Sequence, residues 1–111
     1  MPIDPEILLK KELDEVEGSW TEERVILYNI AVGSSQDPLN KSDLEFTVGS
    51  NPKVIPSFAA CIYPMESVFS IIGSEGLEVS LTSLLHGEQK ITIHKDIPSS
   101  GTAVTLSLIH I

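Results

Sequence analysis

The spacing of apolar and polar residues changes several times along the chain, and each change marks a predicted element. An acidic leader gives way at Ser19-Trp20-Thr21-Glu22, which has the form of a helix capping box, with Thr21 as a competing N-cap. Glu22 and Glu23 then lie where a helix dipole favours negative charge. Residues 25–32 are apolar nearly all round, which predicts a largely buried helix, and Gly33 supplies its left-handed stop. Residues 34–42 are a loop by composition. Residues 43–48 alternate, predicting a strand with Leu44, Phe46 and Val48 inward. Pro56 suits the first turn of a second helix over residues 57–63, before Pro64 interrupts it. Residues 66–76 fit no single element and end in a Gly73-Ser74-Glu75-Gly76 turn. Residues 84–95 and 102–109 read as two strands, joined through turn chemistry at residues 96–101 into an antiparallel hairpin. Helices set apart from antiparallel strands make the class α+β.

Composition narrows the partners. With 111 residues, 41% of them hydrophobic, the chain has enough for one domain and too little for two ordinary cores. Its net charge is −9, from 7 basic and 16 acidic residues. Nucleic acid and anionic membrane surfaces are therefore excluded as partners, since both draw on clustered Lys and Arg. The acids crowd the front, where Asp4, Glu6, Glu12, Asp14, Glu15, Glu17, Glu22 and Glu23 all precede Arg24. They read as a solvated leader and a negative first helical turn. No leader peptide or spanning segment is expected, because the first residues carry acids where a signal peptide needs a basic start. Cys61 is the single cysteine, so no internal disulfide forms and a reducing compartment is expected.

Candidate chemistry is sparse. On an extended strand His86, Glu88, Thr92 and His94 would share a face. The two histidines would then stand about 26 Å apart, too far to meet at one metal, so no metal site is expected. Cys61 lies in an apolar helical stretch, where a free thiol usually serves packing. No glycine-rich phosphate cradle is present, and Asp37-Pro38-Leu39-Asn40 reads as a plain turn. His86 beside Gly87 has two readings: an ordinary half-buried strand histidine, or a ligand contact where glycine lets the backbone come close.

A family resemblance enters at these residues. Ser19-Trp20-Thr21-Glu22 with Val25-Ile26-Leu27-Tyr28 and Ala31-Val32-Gly33 resembles the opening helix of the enoyl-CoA hydratase 2 and MaoC-like dehydratase family. Asp43-Leu44, Phe46, Val54-Ile55-Pro56-Ser57-Phe58-Ala59 and Leu84-Leu85-His86-Gly87-Glu88-Gln89 follow in the family's order, and Pro98 and Gly101 fall at its hairpin turn. The resemblance implies a hot-dog fold, a curved antiparallel sheet wrapped on a helix, here as the N-terminal half of a double hot-dog. Such enzymes interconvert trans-2-enoyl-CoA and (3R)-3-hydroxyacyl-CoA in fatty-acid β-oxidation or related metabolism. Their Asp and His pair belongs to a Gly-Asp-x-Asn-Pro-Leu-His motif in the second half, which this sequence lacks, so no catalytic residue is expected here. The first half houses the acyl tail. Carried over by motif, His86 and Gly87 match positions that touch substrate, and Pro56, Ser57 and Phe58 match the segment near the acyl pocket.

The resemblance further implies an acyl-CoA thioester as substrate, no cofactor beyond the CoA that is part of it, a second hot-dog half in the same parent chain, and a homodimer. The compartment implied is peroxisomal in a eukaryote and cytoplasmic in a bacterium. The alternative, of another class, is a non-catalytic acyl-thioester-binding or assembly module that pairs with a separate catalytic subunit. The hot-dog half is expected over residues 1–105. Residues 106–111 (LSLIHI) are expected to be a non-native tail on a truncated fragment, since a sequencing adapter read in frame encodes them.

Overall fold

A computed structural model of the chain describes residues 3–107. The chain divides into two compact units. Among the described residues one comprises 3–17, 63–90 and 104–107, the other 18–62 and 91–103. Helices and strands are both present, as the α+β class requires. Strands β1 (Val16–Trp20) and β2 (Gly101–Thr105) pair in a two-stranded antiparallel sheet.

The second unit is built on α2 (Glu22–Ala31). Thr21 is its N-cap, with Oγ1 accepting from the Arg24 amide at 3.4 Å, so the competing cap prevails over Ser19. Gly33, at φ +96°, ends the helix as the sequence predicts. Trp20, Val25 and Phe58 form the core, with Tyr28, Val54, Cys61, Ile62, Ile97 and Ala103 packed around them. The rings meet edge to face, Tyr28 at 5.3 Å and Trp20 at 6.5 Å from the Phe58 centroid. The indole Nε1 of Trp20 donates to the Pro98 carbonyl at 2.8 Å, which satisfies the polar tip of a buried ring. Burial of α2 is one-sided, however. Val25 and Asn29 face the core, whereas Leu27 (69% exposed) and Ile30 (56%) face outward. The expectation of an all-round buried helix is corrected, because the unit supplies neighbours for one face only.

Two expected strands are likewise corrected. Residues 43–48 do not extend. Asn40 caps a short helix, α3 (Lys41–Leu44), its Oδ1 accepting from the Asp43 amide at 3.2 Å. Turns continue the coil through Val48, whose amide donates to the Leu44 carbonyl at 2.9 Å. A local cap here outweighs a short alternating pattern whose strand partner would have to come from far along the chain. The Asp37-Pro38-Leu39-Asn40 turn forms as read, with the Leu39 amide donating to Asp37 Oδ1 at 2.9 Å. After it, Pro56 opens a 3₁₀ turn (Pro56–Phe58) that runs into α4 (Ala59–Ile62), close to the second helix expected from sequence.

The first unit holds α1 (Pro5–Lys10), α5 (Met65–Ile71) and a 3₁₀ turn (Leu81–Ser83). Asp4 caps α1 by accepting from the Glu6 and Ile7 amides at 3.0 and 3.3 Å, so the acidic leader is helical at its start. Leu8 is its buried anchor. Ile3 bridges to Leu77, and the Asp4 amide donates to the Gly76 carbonyl at 2.9 Å. Residues 84–95 form no strand, and residues 80–96 are exposed throughout. The expected hairpin is corrected accordingly: β2 takes β1 as its partner instead. Alternation specifies a strand only when a ladder partner and a buried face exist, and neither is offered to Ile91 and Ile93. The far end of the strand expected over residues 102–109, and residues 108–111 of the expected tail, lie outside the described residues.

Candidate functional site

A cavity of about 410 Å³ opens within the second unit. Its walls come from the loop that follows α3, from the approach to the 3₁₀ turn, and from residues 93–99. The apolar contributors are Phe46, Pro52, Val54 and Pro56 on one stretch and Ile93, Ile97 and Pro98 on the other. Asn51, Lys53, Asp96 and Ser99 add polar groups.

Three of those four polar groups have partners within the unit. Ser99 is buried, and its Oγ lies 2.9 Å from Asn51 Oδ1 and 3.3 Å from Glu22 Oε1. The Asn51 amide donates to the same Glu22 oxygen at 3.0 Å, with Asn51 itself in the left-handed region at φ +53°. Lys53 pairs with Glu45, and its amide donates to the Glu45 carbonyl at 3.0 Å. Further in, Asn29 is fully buried on α2 and donates through Nδ2 to the carbonyls of Phe46 and Lys53, both at 2.8 Å. Among the described residues its Oδ1 is buried without a hydrogen-bond partner. The result is a cavity with mostly apolar walls, in which Asn51 and Ser99 are tied to each other and to Glu22, an arrangement suited to an apolar guest.

The residues singled out in the sequence are placed differently from one another. Pro56 lines this cavity. Ser57 shares a 2.6 Å hydrogen bond with the Tyr28 hydroxyl and is exposed. Phe58 is fully enclosed in the core beneath the Arg24 guanidinium, whose carbon stands 6.0 Å from the ring centroid. His86 and Gly87 belong to the first unit and are exposed. His86 Nε2 donates to the Glu88 carbonyl at 3.1 Å, and none of the described residues lies within 4 Å of a Cβ placed on Gly87. Residues 86–94 make no strand, so His86, Glu88, Thr92 and His94 share no strand face. Among the described residues, no group of three or more His, Cys, Asp and Glu is disposed to hold a metal. No helix there is long and apolar enough to cross a membrane.

Sequence reasoning missed Asn29, Asn51 and Ser99. A signal existed for Asn29, the one strongly polar side chain in the apolar run of residues 25–32. Asn51 and Ser99 sit in turn-forming stretches, where their residue types carry no distinguishing sign.

Comparison with known proteins gives these features a context. The profile of the MFE-2 hydratase 2 N-terminal domain matches residues 19–110, and the chain belongs to that family, whose fold is the hot-dog. The chain is 30% identical over 105 residues to enoyl-CoA hydratase ChsH3 of Mycobacterium tuberculosis, covering 93% of this chain and 36% of the relative. It is 27% identical over 104 residues to the peroxisomal enoyl-CoA hydratase 2 of Arabidopsis thaliana, with coverages of 89% and 33%. It is also 30% identical over 86 residues to 3-hydroxyacyl-thioester dehydratase Y of M. tuberculosis, with coverages of 74% and 27%. The chain is thus a member of a hydratase and dehydratase family, and it spans about a third of the length of the first two relatives. No solved structure matches it at a significant level.

Proposed function

We propose that this chain is the N-terminal, acyl-binding half of a trans-2-enoyl-CoA hydratase 2, equally a (3R)-hydroxyacyl-CoA dehydratase, serving fatty-acid β-oxidation or related acyl-CoA metabolism. The observation that carries the reading is the 410 Å³ cavity at Pro56, with mostly apolar walls and with Asn51 and Ser99 tied to each other. Such a space favours methylene groups, since each one buried is worth about 0.8 kcal/mol. Pro56, with Ser57 and Phe58 behind it, belongs to the segment that shapes this space. His86 and Gly87 are proposed as separate substrate contacts, where a bare glycine backbone leaves room for a ligand to approach.

Catalysis falls to a second hot-dog half in the parent polypeptide, which acts as a homodimer. Hydration adds water across a polarised double bond without a change of net redox state, so no cofactor is needed beyond the CoA of the substrate. The compartment is peroxisomal in a eukaryote and cytoplasmic in a bacterium.

The test is to titrate the 111-residue chain with a fluorescent long-chain acyl-CoA and to follow enoyl absorbance with a trans-2-enoyl-CoA. Binding without turnover is expected, with turnover returning when the frame is extended to include an Asp-x-Asn-Pro-Leu-His element. Hydration by the chain alone would place the catalytic pair within it and overturn the reading. Binding by a chain whose natural frame ends without that element would favour the non-catalytic module.

A further inference from the structure

We infer that Asn29 is a positioning residue that sets the acyl-chain length admitted to the cavity. The inference rests on the reading of that cavity as the acyl site. Its basis is a juxtaposition: one fully buried side-chain nitrogen ties two backbone carbonyls of the loop that forms a cavity wall. Nδ2 of Asn29 donates to Phe46 and Lys53, each at 2.8 Å. Phe46, Asn51, Pro52 and Lys53 of that loop all line the cavity.

The loop is closed at its ends and tied at its middle, where the Asn51 amide donates to Glu22 Oε1 and Asn51 Oδ1 accepts from Ser99 Oγ. Lys53 returns to Glu45 through a backbone hydrogen bond and an ion pair, while Gly49 and Asn51 adopt left-handed φ of +87° and +53° between them. The two Asn29 bonds draw this closed loop onto α2 from inside. Loss of them removes the tie to α2 at Phe46 and Lys53 together and leaves the loop on its remaining bonds to Asp43, Glu45, Glu22 and Ser99.

The chemistry at Asn29 is selective. An amide nitrogen carries two protons and serves both carbonyls at once. Asp, of nearly the same size, would present only oxygen to them, and Ser could serve one. The amide oxygen meanwhile stays buried with no partner among the described residues. Leaving an acceptor in that state is costly, and a helix position facing the core is ordinarily apolar. A polar residue held there at such a cost has its effect on the wall it anchors.

The experiment compares the chain with its Asn29→Asp and Asn29→Ser variants in titrations with octanoyl-, dodecanoyl- and hexadecanoyl-CoA, alongside amide hydrogen exchange over residues 46–53. For the folded variants, loop exchange is expected to quicken, and the ratio of affinities between longest and shortest acyl chains to change about 10-fold, the equivalent of ~1.4 kcal/mol. Asn29→Ser is expected to fall between the parent and Asn29→Asp, and it alone decides the outcome if Asn29→Asp does not fold. Faster exchange with an unchanged chain-length profile would make Asn29 merely structural and overturn the inference. Failure of the parent chain to bind any acyl-CoA would instead overturn the acyl-site reading beneath it.

Discussion

Phe58 and His86 show how unevenly single residues reveal their work. Phe58 is marked in the sequence by its place in a motif, and in the structure it is the centre of the second unit's core, fully enclosed beside Trp20 and Tyr28. An aromatic side chain next to a binding segment has the same signature in sequence whether it walls a cavity or supports the residue that does. His86 could be noticed by its type and its glycine neighbour, but its exposure depends on chain far from it in sequence. Asn29 was legible in principle, as a polar break in an apolar run, although its two carbonyl partners were not, being 17 and 24 residues away. Gly18 carries the firmest prediction at this scale. A Cβ there would collide with the Ile62 carbonyl oxygen, a backbone atom that cannot swing aside. Gly18→Ala is expected to cost about 1–3 kcal/mol of stability in denaturant titration. A variant as stable as the parent would show that α4 yields at that point.

Among the elements, α2 was the most legible because its signals are local. Thr21, two glutamates in the first turn and Gly33 after the last are all read within one helix length, and the structure uses each of them. Thr21→Ala is expected to lose about 1 kcal/mol in thermal or chemical melts, and Thr21→Ser to restore most of it, since serine offers the same acceptor. An alanine variant with no loss would mean that the 3.4 Å cap contact contributes nothing. The strands were less legible for a physical reason. Strand β1 lies in a stretch with little alternation, and β2 was paired in expectation with its sequence neighbour and not with β1, more than eighty residues earlier. Pairing is a property of two segments, so neither carries it alone. Conversely, residues 43–48 alternate cleanly and still coil, because Asn40 supplies a cap at short range.

For the chain as a whole, exposure is concentrated in one stretch. Residues 80–96 are exposed from end to end, and Leu85 has 97% of its surface open to solvent. Without a ladder to protect them, Lys90 and Lys95 are expected to be the first sites cut by trypsin. Arg24 is expected to resist, because its guanidinium is bonded to the Ser19 and Cys61 carbonyls. Mass spectrometry of the early fragments reads this directly, and a first cut after Arg24 would contradict it. Trp20 adds a practical consequence. It is the only tryptophan in the sequence, and it is seated in one of the two units. Light emitted by its indole therefore reports on that unit alone, whereas far-ultraviolet dichroism sums over both. Two melting curves recorded on one sample would tell whether the units come apart together or in turn, with no label attached.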